Sequence, residues 1–161
     1  MLPILWIEDS ALQENTILAT PVHLAGKYDL ILALSATEGL IKLTEREYAA
    51  VVVDIRIPPG DDDRWINMYY SLGGTNKAAR LGLKLLEVVL GPPDEYWRDE
   101  LSATARDSGR YGVLSVEGAS ELARELEPFG VAVCRDKGGG DDPDVLLTVI
   151  EEILKRGLRG S

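Results

Sequence analysis

Residues 49–55 read Ala-Ala-Val-Val-Val-Asp-Ile. Five apolar residues, three of them valine, run directly into an aspartate. β-Branched side chains fit the pleated, packed surface of a sheet. An unbroken apolar run, without polar alternation, means that both faces of the strand are covered, as in a parallel sheet held between helix layers. Asp54 then stands at the carboxyl end of that strand, where open α/β sheets bind their ligands.

Working outward, residues 3–7 (PILWI) form a second short apolar run that stops abruptly at Glu8-Asp9. A helix is expected over about residues 11–24, its regular part limited by Pro21. A strand follows at 28–34. Ser35-Ala36-Thr37-Glu38 is a capping box that opens a helix over about 36–46. Beyond Asp54, residues 57–75 (IPPGDDDRWINMYYSLGGT) read as a long loop with at most one helical turn, and Asp61-Asp62-Asp63 as a solvated stretch of it. A helix over about 77–90 carries Leu81, Leu85, Leu86, Val89 and Leu90 at helical spacing and ends at Gly91-Pro92-Pro93.

Residues 94–110 are polar, with Tyr96, Trp97 and Leu101 for packing. Strands are expected at 111–116 and 131–135, with a short helix between them capped by Ser120 and ending at Pro128. A loop over 136–142 leads to a last helix, with Asp142 as N-cap and Pro143 in its first turn. Its apolar face is Val145, Leu146, Val149, Ile150, Ile153 and Leu154. Strands alternating with helices imply right-handed crossovers and a parallel five-stranded sheet with helices on both faces, so a three-layer α/β fold in one domain over residues 1–161.

Composition narrows the function. The 161 residues are 45% hydrophobic and 27% charged, near the globular average. No apolar run approaches the roughly 18–20 residues of a membrane span. The first ten residues lack a basic region and reach Glu8 and Asp9 early, unlike a signal peptide, so a cytoplasmic location is expected. A net charge of −10 argues against a basic nucleic-acid-binding face and suits a site that gathers carboxylates around a divalent cation. Cys134 is the only cysteine and His23 the only histidine, which rules out an internal disulfide and a zinc site of four N or S ligands. His23, in Pro-Val-His-Leu-Ala, reads as a packing residue. Cys134 reads as a small buried apolar side chain. Gly138-Gly139-Gly140 is not a phosphate-binding loop, because its lysine precedes the glycines.

The polar residues expected at the strand ends are few: Glu8 and Asp9 after the first strand, Asp54 at the third, Ser115 at the fourth and Lys137 past the fifth. Three carboxylates converging in one crevice need a compensating cation, and all-oxygen ligands suit Mg2+. A lysine opposite offers a point charge to a phosphoryl oxygen, and a hydroxyl can bond a second. These are the parts of phosphoryl transfer to a carboxylate, in which positioning and charge neutralisation carry the catalysis.

This set resembles the receiver domain of two-component response regulators. The resemblance rests on ILWIEDS with its acidic pair, VVVDIRIP with Pro58 four residues after Asp54, VLS at 113–115 and CRDK at 134–137. Asp9 and Asp54 are 45 positions apart and Ser115 and Lys137 are 22 apart, close to the family's separations. It implies a flavodoxin-like (βα)5 fold with strand order 2-1-3-4-5. It implies that Asp54 accepts a phosphoryl group, that Glu8, Asp9, Asp54 and the backbone carbonyl of Arg56 hold Mg2+, that Ser115 contacts a phosphoryl oxygen, and that Lys137 pairs with the modified aspartate. It further implies a histidine kinase or phosphotransfer protein as donor and a downstream protein effector, and a regulatory phosphoacceptor rather than an enzyme.

The departures are specific. Asp54 and Ser115 are 61 positions apart, far beyond the family norm, with the excess at about 58–76 and 91–110. Val116 stands where the family has Ala or Gly. Gly138 replaces the proline after the lysine, so no cis peptide is expected there. Cys134 replaces the aromatic switch residue. These changes favour an alternative, a pseudo-receiver that acts only as a protein-interaction module. A further alternative, a Mg2+-dependent phosphohydrolase, usually has an acid two residues after its nucleophile; here that residue is Arg56. Trp65, Tyr69, Tyr70, Tyr96 and Trp97 in the insertions suggest either a partner-binding surface or a local mini-core.

Overall fold

Five strands, β1 (Leu2–Ile7), β2 (Tyr28–Ala33), β3 (Ala50–Val53), β4 (Tyr111–Ser115) and β5 (Val133–Asp136), pair in parallel in the order β2-β1-β3-β4-β5. The computed structural model describes residues 1–9, 12–97, 100–138 and 142–159. The expected helix start at Ala11, and Gly139, Gly140 and Asp141 of the glycine-rich loop, lie outside the described residues.

Period-two geometry splits each central strand between two cores. Leu5, Ile7, Val51, Val53 and Val113 face one layer, formed by helices α2 (Ala36–Glu45), α5 (Leu81–Leu90) and α6 (Ala119–Leu126). Ile4, Trp6, Val52 and Leu114 face the other, formed by α1 (Leu12–Leu24) and α7 (Val145–Arg159). The apolar runs of β1 and β3 are thus buried on both sides, which is the fold class expected from the sequence. Ser35 caps α2 by accepting from Glu38 N–H at 3.1 Å, and the Glu38 carboxylate accepts from Leu34 N–H at 2.6 Å. Among the described residues no helix is long and apolar enough to cross a membrane.

Several boundaries differ from expectation. The end of α1 at Leu24 is as expected, but Pro21 lies inside the helix without breaking it, because Leu18 and Val22 bury one face against the sheet. The expected loop over 57–75 contains a nine-residue helix, α3 (Asp63–Ser71). Asp62 caps it by accepting from Arg64 N–H at 2.9 Å, and Trp65 anchors it in the core. The helix expected from residue 77 is broken into α4 (Asn76–Ala79) and α5, with Arg80 between them at φ 48° and ψ 51°. The break lets Gly82 sit against the end of β3, where an added Cβ would lie 1.9 Å from the Asp54 carbonyl oxygen. Gly118, not Ser120, precedes α6, and no side chain caps that helix. The fifth strand begins at Val133, two residues later than expected, although Val131 is buried.

The aromatic residues of the insertions divide. Trp65 and Trp97 pack with ring centroids 4.3 Å apart, and the Arg64 guanidinium lies over Trp97 at 4.6 Å. Tyr69 bonds inward to Asn76, whereas Tyr70 and Tyr96 are exposed.

Candidate functional site

The sheet carries its hydrogen-bond ladder one residue past the strands, and that extension builds the site. Glu8 N–H donates to Ala33 O at 2.9 Å, and Asp54 N–H donates to Ile7 O at 3.0 Å. Lys137 N–H donates to Ser115 O at 2.9 Å. Each strand end is therefore fixed in register with its neighbour, and Glu8, Asp54, Ser115 and Lys137 emerge on one edge of the sheet.

Glu8, Asp9 and Asp54 each offer a carboxylate oxygen within 4.8 Å of the others. Glu8 is 1% exposed and Asp54 4%. The Lys137 ammonium bonds Asp54 Oδ2 at 3.2 Å and also bonds Glu8 Oε2. Among the described residues these three carboxylates share one ammonium, so acids outnumber bases by two. The electrostatic cost is visible in the acids. Burial, and then the neighbouring Asp54, pushes Glu8 up to about 7 against the pull of Lys137. Burial and Asp54 also raise Asp9. Burial works against the Lys137 ammonium, but Asp54 and Glu8 outweigh it and raise its pKa. An all-oxygen donor set with two charges in excess fits a hard divalent cation such as Mg2+.

Ser115 is fully buried at the same edge, and its Oγ accepts from Glu117 N–H at 3.2 Å, leaving its own hydrogen to donate. Arg56 N–H donates to Asp54 Oδ1 at 3.3 Å, while its guanidinium turns away to Glu117 at 3.1 Å. Val116 is 55% exposed. Gly138 adopts φ +63° directly after Lys137, and there is no cis peptide among the described residues. Burial pushes the Cys134 thiol up to about 11, which suits an inert packing residue rather than a nucleophile.

Around this cluster lie residues whose contacts the sequence does not announce. Asn76 Nδ2 donates to Asp9 Oδ2 at 3.1 Å, and Tyr69 OH donates to Asn76 Oδ1 at 2.9 Å. Arg80 grips Glu117 at 2.8 Å and Glu125 at 2.7 Å. Asn76, Tyr69 and Arg80 come from the insertion or its junction with α5, where neither strand register nor helical period specifies what a side chain meets.

No family model matches the chain, and no curated protein matches it by sequence. Solved structures do. A response regulator receiver domain protein from Methanospirillum hungatei is 17% identical with a TM-score of 0.61, covering 100% of this chain and 99% of that one. A receiver domain of a Francisella response regulator is 16% identical with a TM-score of 0.62, covering 98% and 99%. The chemotaxis response regulator CheY4 of Vibrio cholerae is 17% identical with a TM-score of 0.60, covering 96% and 99%. The chain has the fold of response-regulator receiver domains along nearly its whole length.

Proposed function

We propose that residues 1–161 form one receiver-like domain that works as a phosphoryl-accepting switch in two-component signalling, with Asp54 as the acceptor. The observation that carries this reading is the cluster itself: Glu8, Asp9 and Asp54 within 4.8 Å, with Lys137 bonded to Asp54. Glu8, Asp9, Asp54 and the backbone carbonyl of Arg56 would hold Mg2+. That cation supplies charge neutralisation between an incoming phosphoryl group and the carboxylates.

The chain's own residues supply the rest. Asp54 is the nucleophile. One of its oxygens attacks phosphorus, and the bond to the donor's leaving atom breaks with its electron pair going to the leaving group. Lys137 faces the charge that accumulates on the phosphoryl oxygens. The Ser115 hydroxyl, with its hydrogen free to donate, bonds another of them. The domain takes up one phosphoryl group and releases it slowly, so it is a regulated acceptor rather than an enzyme with an external product. A cytoplasmic location, a histidine kinase or phosphotransfer protein upstream and a protein effector downstream go with this reading.

Acetyl phosphate with Mg2+ tests it. Intact mass should rise by one phosphoryl group, labile to hydroxylamine and absent in Asp54→Asn. Label that persists in Asp54→Asn moves the acceptor elsewhere. A folded wild type that takes up no label makes the domain a pseudo-receiver.

A further inference from the structure

The insertion reaches into the acidic cluster at one point. Asn76 begins the four-residue helix α4, and Thr75 caps that helix by accepting from Ala78 N–H at 3.1 Å. With its backbone held, the Asn76 side chain extends to Asp9. A carboxylate only accepts, so the amide nitrogen must face Asp9 and the amide oxygen must face away. Tyr69, in the last turn of α3, donates to that oxygen at 2.9 Å and fixes the same orientation. The order is Tyr69 O–H to Asn76 Oδ1, then Asn76 Nδ2–H to Asp9 Oδ2. Its effect is to hold one oxygen of Asp9, a member of the carboxylate cluster, in a fixed hydrogen bond. Groups in this place orient metal-binding carboxylates and commonly change metal affinity 10- to 100-fold when removed.

We infer that Asn76, oriented by Tyr69, is a positioning residue for the cation site, through which the insertion between β3 and α5 controls metal affinity. This rests on the Mg2+ reading of the Glu8, Asp9 and Asp54 cluster. It adds a component from outside the sheet. When the insertion is seated, Asp9 is presented in one rotamer with its charge favoured by the amide. When α3 and α4 move, Asp9 loses its only polar side-chain anchor among the described hydrogen bonds and the site weakens. A partner that engages the insertion would in this way adjust how readily the domain binds its cation.

The test is Mg2+ titration followed by the NMR shifts of the Glu8 and Asp9 backbone amides and of the Asn76 side-chain NH2 pair. Wild type should saturate, with the Asn76 NH2 pair moving at the same midpoint as Asp9. Asn76→Ala should raise the midpoint about tenfold. Tyr69→Phe should raise it roughly threefold, the size expected for loss of one hydrogen bond at a distance from the metal. The double variant should match Asn76→Ala alone, because without the amide the tyrosine has nothing to orient. A purely structural role would lower thermal stability and leave the midpoint in place. Saturation by wild type with an unchanged midpoint in Asn76→Ala overturns the inference and leaves the metal site standing. No saturable response in wild type overturns the metal reading, and this inference with it. Asp9→Asn marks the difference: it should lose the response whatever residue stands at 76.

Discussion

Asp54 has a glutamate on either side of its strand, and the protein treats the two oppositely. Glu8, at the end of β1, is 1% exposed and shares a single lysine with Asp54 and Asp9 nearby. Glu117, two residues past β4, is held by two guanidinium groups, Arg56 at 3.1 Å and Arg80 at 2.8 Å. Arg80 also reaches Glu125 and holds its carboxyl below the usual range by hydrogen bonding. On the β4 flank, charge is matched within the chain and the outcome is a brace between the insertion junction and the loop before α6. On the β1 flank, among the described residues, three acids share one lysine and two of the acids are buried, an arrangement that is costly unless a cation completes it. The same residue type thus braces the fold on one side and joins the candidate cation cluster on the other, and the count of opposing charges separates the two.

The largest expected effect comes from removing Lys137, the cation that bonds both Glu8 and Asp54. Lys137→Met leaves Glu8 and Asp54 buried side by side without the ammonium that bonds both. Deleting one member of a buried pair costs about 3 kcal/mol or more. Urea unfolding at pH 8 without Mg2+ should show a loss of that order. At pH 5.5 the loss should shrink, because Glu8 then carries a proton, and added Mg2+ at pH 8 should recover part of it. A loss under about 1 kcal/mol at pH 8 would mean that the flank is already compensated, and the contrast with Glu117 would fall.

A second prediction has the opposite sign on the same flank. Glu8 rises from 4.5 to about 7 on folding, so the folded state holds a proton that the unfolded state releases. Its contribution to stability is fully present below pH 4.5 and is lost as pH rises through 7. Metal-free wild type should therefore lose stability across that window relative to Glu8→Gln, and by pH 8 the variant should be the more stable by roughly 2 kcal/mol. The difference between the two pH profiles isolates Glu8 from Asp9, whose shift has the same sign. Parallel profiles would show that Glu8 ionises freely. The variant should also bind Mg2+ more weakly, a trade of function for stability of the kind expected at a strained site.

Which parts of this contrast were legible in the sequence follows from how each side chain is placed. Glu8, Asp54, Ser115 and Lys137 hang from a parallel ladder whose register is set by apolar runs, so a strand end read from PILWI or AAVVVDI places its polar neighbour to within a residue. The same runs give the two-sided burial and hence the layers. Asn76, Tyr69 and Arg80 belong to a segment in which Pro58, Pro59, Gly60 and three aspartates read as loop. There α3 forms because Asp62 caps it and Trp65 is drawn under Trp97, a contact across more than thirty residues that no local pattern announces. The break at Arg80 is equally silent, since it exists to bring Gly82 onto the backbone of Asp54. Trp65 and Trp97 illustrate the limit: a local mini-core was one of two readings of these aromatics, and only the fold shows which of them form it.

The smallest effect sharpens the comparison from the braced side. Arg80 has φ 48°, the left-handed region that costs a non-glycine residue roughly 1–2 kcal/mol. Its side chain is only 27% exposed and is shared between Glu117, at 14%, and Glu125, at 40%. Half-exposed ion pairs contribute little, about 1 kcal/mol at most for the whole arrangement once solvent screening is allowed for. Arg80→Ala removes the brace and keeps the backbone strain, so it should lower unfolding stability by about 1 kcal/mol. Arg80→Gly removes the brace and relieves the strain together, so it should sit within about 0.5 kcal/mol of wild type. Two equal losses would show that the left-handed turn is not a cost carried by the side chain's contacts. In both variants Arg56 still holds Glu117, and Mg2+ affinity should stay within about twofold of wild type, against the tenfold change expected for Asn76→Ala. A large Mg2+ effect from Arg80→Gly, with stability unchanged, would tie the two flanks into one device and replace the division between brace and ion site.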